Sequence, residues 1–172
     1  VVAVSLKKKA GDQGFAAPNA CDPTGGAAVW GWGTDGIIPA PPAPYGPNTW
    51  GTVIGGDYPS DAGDGLLSPS FTVGPESNLM EVLHYVQIEN NFDGGNVTVD
   101  GAVIAPVGGY PGVISTSTSF YAFCVDLEEG FTGSSSTPSE NWLVRCFDLS
   151  AYDGQTIQVQ FDFGTDSSVQ YP

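Results

Sequence analysis

Between residues 79 and 89 apolar and polar positions alternate along the chain. Met80, Val82, His84, Val86 and Ile88 fall on one side, and Leu79, Glu81, Leu83, Tyr85, Gln87 and Glu89 on the other. Side chains of an extended strand point to opposite faces in turn, so the spacing predicts a β-strand whose mainly apolar even face is buried. The odd face is mixed and ends in Glu89. The chain then turns through Asn90, Asn91, Phe92 and Asp93 into a second alternation, Val97 and Val99, followed by Asp100-Gly101 and Val103. Asp and Gly tolerate the positive φ values of a two-residue turn, so a tight hairpin is expected there. Further short runs are LLSPSFTV (66–73), FYAFCVDL (120–127), WLVRCFDL (142–149) and QTIQVQFDFGTD (155–166), with turn-forming residues between them. No amphipathic helix is evident. Short strands at this spacing predict an all-β antiparallel β-sandwich, of the jelly-roll kind.

The organisation expected is one such domain over residues 10–172, preceded by an N-terminal strand and basic tether at 1–9. Residues 10–56 are rich in Gly, Pro and Ala and include IIPAPPAPYGP at 37–47. Proline lacks the N–H that a central strand needs, so this stretch is expected to wrap the core as a long loop.

The 24 Gly and 14 Pro among 172 residues agree with strands broken by turns. Charge narrows the partners. The net charge is −15, and residues 10–172 hold all 19 acids against Arg145 alone, a net of −18. Two unit charges 10 Å apart still interact by about 1.7 kcal/mol at an effective dielectric of about 20, so clustered carboxylates favour a bound cation and repel phosphates. Nucleic acid is excluded as a partner. No run reaches the length of a membrane span, so no membrane insertion is expected, and VVAVSL followed by KKK has the wrong order for an intact secretory signal.

Cys21, Cys124 and Cys146 form no metal-binding or thioredoxin-type motif. Cys124 and Cys146 lie in two similar strands and are expected to pair. That disulfide would stabilise the fold by about 3 to 4 kcal/mol and imply an oxidising compartment. The alternative is two buried thiols.

Taken in order, DGLLSPSFTV, LHYVQIENNFDGGNVTVDG, GFTGSSS and NWLVRCFDLSAYDGQTIQVQFDFGTDSS resemble the MAM-like or cleaved-adhesin jelly-roll modules of bacterial surface proteins and immune inhibitor A type metalloproteases. The resemblance covers about residues 50–168. It implies a secreted or cell-surface β-sandwich, often stabilised by calcium, that acts in adhesion and catalyses nothing. The chain departs from the pattern at two places. The Gly-Trp-Tyr-(Ile/Leu)-Asp-Asp type strand that usually follows FGTDSS is missing, as is a Trp after the DGG turn. A sandwich one strand short would present an open slot to a strand from another copy. Val1, Val2, Ala3, Val4, Ser5 and Leu6 are expected to be that donated strand, building a filament by self-association; local pairing within the chain's own sheet is the plainer alternative.

Asp57, Asp61 and Asp64 crowd the turn-rich GDYPSDAGDG, and Glu89 and Asp93 end the central strand. Calcium takes six to eight oxygens from flexible loops, so these five are the candidate ligands; solvated turn formers are the alternative. As a hydrolase, DYPSD or IENNFD would have to set two carboxylates about 5 to 10 Å apart across a cleft, and nothing in the sequence imposes such a pair. His84 is the only histidine and is expected to be buried and hydrogen-bonded rather than a general base. The GSSST run lacks the setting of a hydrolase nucleophile. Trp30, Trp32 and Trp50 would stack on sugar rings in a carbohydrate-binding module, or else anchor the long loop to the core. Asn96-Val97-Thr98 matches the N-glycosylation sequon. The expected function is therefore a non-enzymatic adhesive surface module that binds itself, a surface protein or a glycan, with glycan binding the alternative and hydrolysis a distant third.

Overall fold

A computed structural model of the chain describes residues 2–5, 14–17, 29–76, 78–114, 125, 127–133 and 142–171. In chain order the strands are β1 (Val2–Ser5), β2 (Trp30–Gly33), β3 (Thr49–Thr52), β4 (Gly63–Leu67), β5 (Phe71–Thr72), β6 (Leu79–Val86), β7 (Gly94–Val99), β8 (Ala102–Ile104), β9 (Gly112–Val113), β10 (Glu129–Gly130), β11 (Leu143–Asp148), β12 (Thr156–Ile157) and β13 (Val159–Gly164). Five form one sheet in the order β11-β6-β1-β3-β2, and four form a second, β4-β13-β7-β8. The pairs β12-β5 and β10-β9 make two-stranded ribbons. All these pairings are antiparallel. The predicted hairpin joins β7 to β8, with Asp100 at φ 50° and Gly101 at φ 81°. No helix of the described residues is long and apolar enough to cross a membrane.

The core lies between the two sheets. Trp30, Val82 and Val86 of the first meet Leu66, Val97, Val99, Phe161 and Phe163 of the second, all buried. Each such side chain contributes roughly 1.5 to 3 kcal/mol of transfer free energy, which is what holds two sheets face to face. The even face of β6 is buried as its alternation predicted, with Met80 at its margin. The odd face is buried too at Leu83 and Tyr85. There the proline-rich segment supplies Ile38, which packs against Tyr85 and Trp142, while the Trp142 Nε1–H donates to the Pro39 carbonyl at 2.7 Å. A loop laid on the outer surface made the mixed face a second small core.

Three expectations change. The Gly/Pro-rich segment at 10–56 is not all loop, since it contributes β2 and β3 and bridges Ala16 to Leu67 at the margin of β4. β1 lies inside the chain's own sheet, with Val2↔Val86 and Ser5↔Leu83 on one side and Ala3↔Gly51 and Val4↔Trp50 on the other. Residues 2–5 therefore pair on both sides within the chain's own sheet, the plainer of the two alternatives; Val1 and Leu6 lie outside the described residues. Finally, among the described residues, Cys146 carries a free thiol. Its carbonyl accepts from Val107 N–H at 2.7 Å on the outer side of β11. The neighbour there is the loop after β8; Cys124 and Cys21 lie outside the described residues.

Candidate metal centre

The register of β13 against β7 builds the site. Gly164 stands opposite Gly94, so the residues just past the end of β13 lie beside those just before β7. Asp166 and Asp93 are brought together in this way, and the Asp166 N–H donates to Asp93 Oδ1 at 2.8 Å. Glu89 enters from the same turn as Asp93. The Asp93 N–H reaches the Glu89 carbonyl at 3.2 Å, with Asn91 at φ 65° between them, so the chain folds back and both carboxylates meet. Thr132 fastens this turn, its hydroxyl donating to the Glu89 carbonyl and accepting from Asn91 N–H. Gly95 allows the strands to close below it: a Cβ there would stand 2.5 Å from the Asp162 carbonyl oxygen.

Glu89, Asp93 and Asp166 can each present a carboxylate oxygen within 4.8 Å of the other two. Asp93 and Asp166 are buried and Glu89 is half-buried. Two carboxylate charges at that distance repel by about 3.5 kcal/mol at an effective dielectric of about 20, so the trio is unfavourable without a proton or a cation. The acid–base state reflects this. Burial, opposed by hydrogen bonds from Tyr58 and Asp166 N–H and reinforced by the neighbouring acids, pushes Asp93 up to about 7. Burial and then the Asp166 charge raise Glu89 as well.

Tyr58 forms the inner wall. Its hydroxyl donates to Asp93 Oδ2 at 2.6 Å and accepts from Glu89 N–H at 3.2 Å, and burial with the adjoining Asp93 raises its pKa. The Asp166 Oδ1 is taken by Ser168 N–H and hydroxyl. Among the described residues, Asp166 Oδ2 and Glu89 Oε2 are buried acceptors without a partner. Buried polar atoms are normally satisfied, so two unpaired carboxylate oxygens beside a third carboxylate match what a hard cation requires.

Of the five ligands expected from sequence, only Glu89 and Asp93 meet here. Asp57 and Asp61 are exposed in the neighbouring loop, and Asp61 touches the site only through its N–H to the Asp166 carbonyl. Asp64 is buried, but its carboxylate is already used. Oδ2 accepts from Val29 and Trp30 N–H at 2.7 and 3.3 Å, and Oδ1 from Gly65 N–H at 2.8 Å. Asp64 therefore ties the chain entering β2 to β4. Asp166 was missed because its role follows from pairing with a strand 70 residues earlier; the signal in sequence was an Asp two positions beyond the FDFG strand, the counterpart of Asp93 just before GGNVTV.

The other candidates separate as clearly. Trp30 is a core residue, while half-buried Trp32 and Trp50 face each other across β2 and β3 with rings tilted 50° and centroids 5.9 Å apart. Trp50 also packs on the core, so these rings anchor the sheet margin. Asn96 is buried, its amide donating to Glu128, which removes the sequon from the surface. His84 is buried as expected, but neither ring nitrogen has a hydrogen-bond partner among the described residues. Comparison with protein-family models, with curated proteins and with solved structures gave no match.

Proposed function

We propose that this protein is a non-catalytic, extracellular β-sandwich module stapled by one calcium ion, which works as a structural or adhesive unit through its surface. The observation that carries the reading is the pair of unpartnered, buried oxygens on Asp166 and Glu89 beside Asp93. Calcium would be held by these three carboxylates. It would bind the turn after β6 to the segment after β13, and so clamp one end of the two sheets. Three carboxylates with further oxygens from solvent or backbone match the modest affinities of extracellular modules, about 10⁻⁴ to 10⁻³ M, which suit a millimolar calcium environment.

Hydrolysis has less support. Carboxylates this close, walled by Tyr58 and backbone, leave no room for a sugar between them, whereas a glycosidase pair flanks its substrate. The acidic surface, net −15, and the all-β framework suit a secreted module that stays soluble and presents loops.

The test is thermal unfolding with EDTA or excess calcium. At a calcium concentration 100 times Kd, binding to the folded state adds about 2.7 kcal/mol. For a domain of this size that raises Tm by about 5 to 10 °C. Asp166→Asn should abolish the shift. A Tm that ignores calcium, or a full shift retained in Asp166→Asn, would refute the staple.

A further inference from the structure

The core of the sandwich contains a second polar feature, separate from the metal centre. Among the described residues, Trp30 Nε1, both ring nitrogens of His84 and Asn96 Oδ1 are buried atoms without hydrogen-bond partners. The three residues are 5%, 3% and 2% exposed. All three line one cavity of about 20 Å³ between the sheets, whose other walls include Val82, Phe131 and Phe161. Unpaired polar groups are rare in protein interiors, and three converging on one cavity from β2, β6 and β7 call for a common partner.

We propose that this cavity is the binding site of a single internal water molecule, held by the Trp30 indole N–H, a His84 ring nitrogen and the Asn96 side-chain carbonyl. The volume admits one oxygen-sized molecule, since a water needs roughly 10 to 15 Å³ by this measure and two to four polar partners. The hydrogen-bonding pattern is matched: water accepts from the indole and donates to the amide carbonyl and to the unprotonated His84 nitrogen. A neutral occupant is selected. Burial, followed by the charge of Arg145, pushes His84 down to about 4, so the imidazole is uncharged near neutral pH and offers an anion nothing. Arg145 opposes a cation there, and the Asp162 carboxylate, which also lines the cavity, repels an anion while its own oxygens accept from the Thr98 hydroxyl and the Gln160 side-chain amide. The water joins β2 and β6 of one sheet to β7 of the other, a polar link inside an apolar interface.

The experiment is solution NMR on the full chain. The Trp30 indole proton is assigned by its loss in Trp30→Phe, and its cross-relaxation with water is then measured. A long-lived site gives an NOE with the sign of the protein's own and an ROE of opposite sign. Thr52 stands opposite Trp30 in the β2–β3 pair, and its hydroxyl is removed as a control for relayed magnetisation, so the cross-peak must persist in Thr52→Val. An assigned Trp30 proton with no water cross-peak, or one lost in Thr52→Val, overturns the site. A crystal structure provides the independent check. One ordered solvent peak within about 3.2 Å of Trp30 Nε1 and Asn96 Oδ1 supports it, and a protein acceptor on Trp30 Nε1 overturns it.

Discussion

Replacing Asp93 with Asn should change how the metal-free protein responds to pH. Burial raises this carboxyl from 3.8 to about 7. Between those values the folded state keeps a proton that the unfolded chain has released, so stability falls as pH rises through the window. The penalty is absent below about pH 4 and complete above about 7. A shift of about three units is worth at most about 4 kcal/mol. Water reaching the site past half-buried Glu89 screens part of this, leaving about 2 kcal/mol. His84 runs the other way. Its folded pKa of about 4 lies below the usual 6.5, so the unfolded chain takes up a proton as pH falls through 6.5, and stability is lost on acidification toward 4. The two slopes offset each other over that range, which makes the difference between Asp93→Asn and the parent the informative quantity. Urea unfolding in EDTA should show the variant gaining about 2 kcal/mol on the parent between pH 4 and pH 8. Saturating calcium should remove this gain, since a cation favours the ionised carboxylate. A difference that stays constant across the range, or shrinks, would show that Asp93 is not held protonated by its surroundings.

Asp64→Asn removes a carboxylate oxygen from a group whose two oxygens satisfy three backbone N–H groups and should cost about 2 to 3 kcal/mol in chemical unfolding while leaving the calcium shift intact. Gly95→Ala would force a Cβ against the Asp162 carbonyl; a loss of about 2 kcal/mol or more by calorimetry is expected, and an unchanged Tm would contradict the strand spacing. With the native cysteines replaced by serine, Val2→Cys combined with Val86→Cys should cross-link within one chain, since these positions are paired. A single-chain band on a non-reducing gel is expected, and a ladder of multimers would instead mean that β1 is donated between copies.

Alternation in residues 79–89, the Asp100-Gly101 turn and the spacing of short apolar runs were enough to determine an all-β antiparallel sandwich, because a two-residue period and a positive-φ turn are local properties of the chain. The buried even face of β6 followed from the same period. Which strands become neighbours was not local. The pairing of β13 with β7 placed Asp166 beside Asp93, β1 inserted between β6 and β3 of its own sheet, and the proline segment turned the odd face of β6 inward. The chemistry of each carboxylate depended on tertiary structure for a related reason. Asp64 and Asp166 are equally acidic as residues, yet one has its oxygens filled by backbone N–H groups and the other keeps one free. A sequence lists the acceptors, but only the folded chain assigns their donors.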